Sequence, residues 1–475
     1  MRVAPAPVAD RTRLFLAYAI GFLLLGSILV LAGDQPVPVL SSLVALTVAL
    51  LVMRHPIVIL VGLLFLAPFH TALISALANK AHLPIGPLQY WKDVLILALF
   101  VRGVFERVRL DGPRSLFRDA GNGLVVVYIF VFVAMAAVSP PRSTVNEALG
   151  RYVEGPLLLL AILFLRPTRR QLWLCIAATL GAATVMGTGA LIERFGPQLD
   201  FHFWYGAGVP EGGGLFVTSG GYRAGSFLNS PLVLGFYLAA GAPLAASIGT
   251  LRSPWRAASL LAFAAVSGGL ITTVTRSAFL GGGIGVLAVL LLTVRNPRVR
   301  LSLVGIFIVV ASSAAAFYAS SAVFSRPESN VAHTSALRRD LDLLQARPFG
   351  YGLGTTDRFS QVENAGRGVL GVTESTYFAI ALEAGVHAIV VYLATLFVTG
   401  MRVRSSGWRA RRAGDAAGAA LAGGAAGAMV AVAISGLFLG IHELSVEMML
   451  WVPPAIAIAW SLTRDRVVDA PVKTR

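Results

Sequence analysis

Ser320–Thr373 reads SSAVFSRPESNVAHTSALRRDLDLLQARPFGYGLGTTDRFSQVENAGRGVLGVT. It is long, polar and rich in Arg, Gly and Pro, and it lies between hydrophobic runs at 301–320 and 374–400. Leu337, Leu341 and Leu344 recur at i, i+4 and i+7, which is one face of a helix. Arg338 and Asp342 stand four apart on another face. His333 sits just before the expected helix start, Thr334 or Ser335 can cap it, and Pro348 with Gly350 ends it. Pro348–Gly354 then reads as a tight glycine turn. A short amphipathic helix of this kind belongs at a membrane interface or over the mouth of a cavity.

Outward from this stretch the chain is almost all hydrocarbon. Of 475 residues, 56% are hydrophobic and 13% charged, a balance that excludes a soluble domain of this length and predicts a polytopic membrane protein. Fourteen candidate spans fall near 12–33, 37–53, 56–78, 91–106, 121–138, 153–166, 171–193, 228–250, 256–272, 277–294, 301–320, 374–400, 415–438 and 445–462. Most hold the ~20 apolar residues that a helix needs to cross the bilayer. The segment at 153–166 is the shortest. The first apolar run, Leu14–Leu31, lacks a small-residue cleavage site and reads as a retained span. The chain shows no repeat and no heptads, so 1–475 reads as a single membrane domain.

The formal charge is +16, carried almost wholly by arginine. In a membrane protein such a balance points to the positive-inside rule and to anionic lipid rather than to nucleic acid. With the N-terminus inside, 26 of the 39 cationic residues fall on inner segments, and six of the other 13 lie in the long loop. Both termini are then cytoplasmic. The single cysteine, Cys175, sits in an apolar run, reads as a small buried hydrophobe, and allows no intrachain disulfide. Within 415–438, Gly414/Gly418 and Gly423/Gly427 are small-xxx-small pairs that let helices approach closely.

This topology puts three polar segments on the outer face. One is about 194–230, with His202, Trp204 and then Gly221–Pro231 (GYRAGSFLNSP). The second is the hairpin Thr272–Ala278 (TTVTRSA), and the third is the long loop, 321–373. An arginine at membrane depth costs at least ~2.5–3.5 kcal/mol unless it faces a cavity or a partner, which makes Arg276 a candidate functional residue. Arg223 follows a glycine-rich lead. Two arginines on one face suit a diphosphate, because guanidinium holds phosphate oxygens in a bidentate fork. Arg338, on the loop helix, is a third candidate contact.

Asp340 and Asp342 point to nearly opposite sides of a helix and cannot hold one metal ion together. Gly350, Gly352 and Gly354 form no dinucleotide fingerprint, since no strand precedes them. Glu374 opens the span after the loop, where it suits the helix dipole or could face a cavity. Glu383 and His387 lie deeper, one turn apart on the same expected helix and off the angle of Glu374. His442 and Glu443 read as interfacial.

These segments together resemble the O-antigen ligase and polymerase family. Tyr222–Pro231 is similar to that family's R-x-G-[ST]-F-x-[HN]-x-P segment, and Thr275–Phe279 to its [TS]-R-[SG]-A hairpin. Arg347–Gly354 resembles its P-[LF]-G-x-G-x-G close, and Glu374–Gly385 the span leading into E-x-G. The resemblance covers about 220–390. It implies an all-α, GT-C-like, metal-independent inverting glycosyltransferase of about 12–14 transmembrane helices. It would sit in the bacterial inner membrane, with its active site outside. The donor would be a glycan on undecaprenyl diphosphate, the acceptor a glycan or glycolipid, and no cofactor is implied. Arg223 and Arg276 match the arginines that hold the donor diphosphate. His333 falls where the family's loop helix begins, in place of an Arg, with Leu337 in place of a Trp. Glu374-Ser375 stands in place of His-Asn. His333 and Glu374 are therefore both candidates for the base. A lipid-linked sugar flippase is the rival from another class, but flippases typically show repeated halves.

Overall fold

The computed structural model describes residues 51–81, 90–117, 119–139, 145–196, 217–218, 221–228, 230–251, 253–293, 327–356, 375–438 and 443–468, with a few isolated positions besides. The expected spans near 12–33, 37–53 and 301–320 lie wholly or mostly outside these residues, as does His442.

The described chain is helical apart from one small hairpin. Helices α1 (Pro56–Leu66) and α2 (His70–Ala81) are joined by a 3-10 turn at Ala67–Phe69. There follow α3 (Trp91–Asp111), α4 (Ala120–Val138), α5 (Val145–Leu165) and α6 (Arg169–Phe195). The hairpin pairs β1 (Val217–Thr218) with β2 (Gly221–Tyr222), antiparallel. Then come α7 (Pro231–Gly249), α8 (Arg256–Thr272), α9 (Arg276–Thr293), α10 (Pro327–Ala346), α11 (Thr376–Ala384), α12 (Val386–Arg412), α13 (Ala416–Ser435) and α14 (Leu444–Val468). Nine of the described helical segments are long and apolar enough to cross a membrane, and α8 is a shorter apolar helix. The protein is thus an all-α, multi-pass membrane protein. Helices suit hydrocarbon because each satisfies its own backbone hydrogen bonds.

Helices α5, α7, α13 and α14 form the interior, and α7 packs against α8, α9, α13 and α14. Small residues bring the backbones together. A Cβ on Gly285 would lie 2.6 Å from the Gly427 carbonyl oxygen of α13, and one on Gly427 2.7 Å from the Gly285 carbonyl oxygen. The expected small-residue contact is therefore real at Gly427. Gly414, by contrast, meets nothing within 4 Å; it has φ +69 and turns the chain between α12 and α13. Cys175 is buried, as expected.

Three sequence expectations are corrected. The short span at 153–166 is part of a 21-residue helix that begins at Val145. Glu147, Arg151 and Glu154 break the apolar pattern, but they find partners. Arg151 pairs with Glu147 at 3.1 Å and Glu443 at 3.6 Å, and Lys92 of α3 reaches Glu154 at 2.7 Å. The expected continuous helix at 374–400 breaks at Gly385, whose φ of +89 separates α11 from α12. Such a φ suits only glycine comfortably. The loop helix begins at Pro327, so Thr334 and Ser335 lie inside it rather than capping it, and His333 lies in its body.

The ends of the bundle differ. One carries ion pairs among the arginine-rich turns: Arg402 with Asp119 at 2.5 Å, Arg169 with Asp415 at 2.9 Å, and Arg166 with Asp111. The other carries the 221–230 segment, the α8–α9 hairpin, the end of α13, the start of α11 and the base of α10.

Candidate functional site at the loop-bearing end

Ser230 caps α7 by accepting from the Val233 amide, and Pro231 follows as the first helical residue, where its missing N–H costs nothing. The chain before that cap is folded down onto α6. Glu193 accepts the Ser226 amide at 2.6 Å and the Gly225 amide at 3.4 Å. The Ser226 hydroxyl donates to the Met186 carbonyl at 3.0 Å, and Ser226 itself takes φ +45. Phe227 meets Phe69 edge-on, with ring centroids 5.4 Å apart. This pinned segment carries Arg223.

Arg223 is 7% exposed. Its Nε donates to the Thr273 carbonyl at 2.9 Å, and Nη2 donates to the Thr275 hydroxyl at 3.0 Å. The neighbouring Ala224 amide donates to the Thr272 carbonyl at 3.1 Å. The guanidinium therefore grips the turn between α8 and α9, where Val274 takes φ +51. Thr275 in turn donates to the Pro231 carbonyl at 3.0 Å, closing the circle to α7. Arg276 is the first residue of α9 and is exposed. The two arginines of the sequence reading thus meet at one hairpin, Arg223 holding it from within and Arg276 standing at its rim.

The same hairpin is tied to the start of α11. The Ser435 hydroxyl at the end of α13 donates to the Ser277 carbonyl at 3.2 Å. One residue on, the Gly436 carbonyl accepts from the Thr376 amide at 2.9 Å and from the Ser375 hydroxyl at 3.1 Å. Thr373, Ser375 and Thr376 are all buried, and Ser375 caps α11. Buried polar groups persist only when bonded, so this girdle of Thr and Ser marks where the apolar bundle becomes a polar floor. Glu374, between two of these residues, lies outside the described residues.

Helix α10 stands beside this floor, packed against α11. Arg338 is exposed and, with Val331, Thr334, Ser335, Arg339, Asp342 and Leu343, lines a surface cavity of about 700 Å³. Asp340 is fully buried while Asp342 is exposed, so the two carboxylates do point apart. Leu337 and Leu341 remain 37% and 47% exposed, an apolar stripe suited to the membrane interface. His333 is described by its backbone position alone. No group of three His, Cys, Asp or Glu placed to hold a metal occurs among the described residues.

Residues 261–393 match the family model described as O-antigen ligase. This region, a little over a quarter of the chain, is thus similar to the O-antigen ligase/polymerase family. The match spans the hairpin with Arg276, α9, α10 and α11, and it leaves out Arg223. No curated protein matches the chain. An O-antigen ligase region in a multi-pass membrane protein supports a glycan-processing function and a glycosyltransferase-like enzyme. Substrates of that kind are lipid-linked glycans and their acceptors.

Sequence reasoning misses Glu193 and Ser435 and leaves Glu383 outside the site. The first two act through backbone groups distant in sequence and leave no local pattern. Glu383 stands off the angle of Glu374 only if 374–400 is one continuous helix, and the break at Gly385 removes that condition. Gly385, flanked by Glu383 and His387 in a mostly apolar run, is the available sign of the break.

Proposed function

We propose that this O-antigen ligase-type protein transfers a glycan from undecaprenyl diphosphate to an acceptor hydroxyl at the loop-bearing end of the bundle. The arginine-rich opposite end supports placing that face outside the cytoplasm. The observation that carries the reading is the braced hairpin, with Arg276 at the rim of the polar floor. A permanently charged fork held at that rim suits the diphosphate of a lipid-linked donor.

The reaction is a single displacement at the anomeric carbon of the donor sugar. The acceptor oxygen bonds to that carbon as its bond to the diphosphate oxygen breaks, which inverts the configuration. The acceptor proton passes to a base, and the electron pair of the broken bond stays on the lipid diphosphate. A diphosphate is already a good leaving group, so the protein must supply fixed positive charge and one base. Arg276 and Arg338 supply charge in this reading, and Arg223 adds to the local field while bracing the hairpin. His333 or Glu374 takes the proton. An ordinary histidine pKa near ~6.5 suits a base at neutral pH.

The test is transfer by purified protein from a lipid-linked glycan donor. Arg276→Ala should remain folded in detergent but lose donor binding. Arg276→Lys should also be strongly impaired, because the charge stays while the fork is lost. Near-normal transfer by folded Arg276→Ala would reduce Arg276 to a lipid anchor and remove the main support for the reading.

A further inference from the structure

The described buried glutamates differ in what they hold. Glu154 joins Lys92 of another helix, and Glu447 accepts from Trp451 one turn along its own helix at 2.7 Å. Glu383, 2% exposed near the end of α11, instead reaches from the bundle to the return of the long loop. Its Oε1 accepts the Thr356 amide at 3.1 Å and the Thr356 hydroxyl at 2.7 Å. Its Oε2 accepts the Tyr152 hydroxyl of α5 at 3.0 Å. One carboxylate therefore bonds helix α5 to a loop residue.

The loop return is laid along the break between α11 and α12. Tyr351 and Gly352 donate their amides to the carbonyls of Leu382 and Glu383, at 2.7 and 3.0 Å. Val386 donates back to the Pro348 carbonyl at 2.8 Å. A Cβ on Gly350, which has φ +89, would lie 2.7 Å from the Glu383 carbonyl oxygen, so only glycine lets the two backbones meet. The Leu353 amide donates to the Ser139 hydroxyl beyond α4 at 2.9 Å. Helix α10 is tied to this turn in its own right. The Tyr351 hydroxyl donates to the Leu343 carbonyl at 3.1 Å, and Arg347 lies over the Tyr351 ring at 5.0 Å.

We infer that Glu383 is a positioning residue, the latch that holds the loop return to the bundle and so sets α10, with Arg338, beside the polar floor. Held loops act by keeping catalytic groups in the productive arrangement. The inference rests on the glycan-transfer reading for its kinetic consequence, but the latch itself is structural and is tested without substrate.

The chemistry of the carboxylate separates a latch from a reacting group. In Glu383→Gln the amide oxygen can still accept both Thr356 donors, and the amide nitrogen can donate to the Tyr152 oxygen, since a phenol both gives and takes a hydrogen bond. In Glu383→Ala all three bonds are lost. Hydrogen exchange of residues 348–356 in the full-length protein in nanodiscs reads the latch directly. Glu383→Ala should raise exchange there and cut kcat for transfer about tenfold or more, the size of effect that losing even one of its three hydrogen bonds can give, with a smaller effect on donor KM. Glu383→Gln should hold both near wild type. Thr356→Val, which leaves the helices untouched, should raise exchange in the same residues and guards against misfolding of Glu383→Ala. Unchanged exchange in folded Glu383→Ala and in Thr356→Val would overturn the latch. Raised exchange with undiminished transfer would overturn its positioning role. Loss of transfer in Glu383→Gln with native exchange would make the carboxylate a reacting group instead. If wild-type protein transfers nothing from the lipid-linked donor, the proposed function fails, while the exchange measurements still decide the latch.

Discussion

Replacing Arg223 by alanine should cost about 3–6 kcal/mol of stability. The guanidinium makes two bonds to the hairpin, at 2.9 Å to the Thr273 carbonyl and 3.0 Å to the Thr275 hydroxyl. Each hydrogen bond from a charged donor is worth roughly 1.5–3 kcal/mol. Thr273 is fully buried, so without the guanidinium its carbonyl keeps only the longer contact with the Thr275 hydroxyl, at 3.3 Å. Arg223→Lys should keep about half of that, because one ammonium on a flexible stem cannot reproduce the fork. The assay is equilibrium unfolding in mixed detergent, followed by tryptophan fluorescence, beside a donor-binding measurement. Arg223→Ala should lose stability and donor binding together, whereas Arg276→Ala should lose donor binding at nearly constant stability. An Arg223→Ala protein within about 1 kcal/mol of wild type that no longer binds donor would refute the bracing role and make Arg223 a direct ligand contact.

Other measurements bear on the remaining roles. His333→Ala should bind donor normally yet form little product, with Glu374→Gln milder; single-turnover assays that show the reverse order would assign the base to Glu374. Ala substitution at Gly285 or Gly427 should destabilise by about 1–3 kcal/mol, since each Cβ would press on the facing backbone, and unchanged unfolding would show that α9 and α13 can separate freely. Gly414→Ala should cost less, about 1 kcal/mol from its φ of +69 alone. Reporter fusions after Asn330 and Gly366 should read outside, and those after Arg118, Arg298 and Arg412 inside; an inside signal from the long loop would move the whole polar floor to the cytoplasm.

Much of this protein was legible in one dimension. The expected span at 256–272 coincides with α8, and 121–138 and 415–438 lie within a few residues of α4 and α13. Hydropathy succeeds here because a helix in hydrocarbon closes its own hydrogen bonds, so its existence is a local property. The hairpin bearing Arg276 and the glycine turn after α10 were readable for the same reason, as short polar or glycine-rich interruptions of apolar runs. The start of α5 was hidden because Glu147, Arg151 and Glu154 look like loop until their partners on α3 and beyond α13 are known.

What tertiary structure alone decided is the direction and company of each polar group. Sequence put Arg223 and Arg276 on one face; only packing turned Arg223 inward onto Thr273 and Thr275, 50 and 52 residues away. Sequence marked Glu383 as a carboxylate in a span; only the break at Gly385 and the return of the loop brought it Thr356, and Tyr152 from 231 residues earlier. Periodicity reports which side of a helix a residue occupies, whereas a hydrogen bond depends on what stands opposite, and that is set by helices packing across the whole chain.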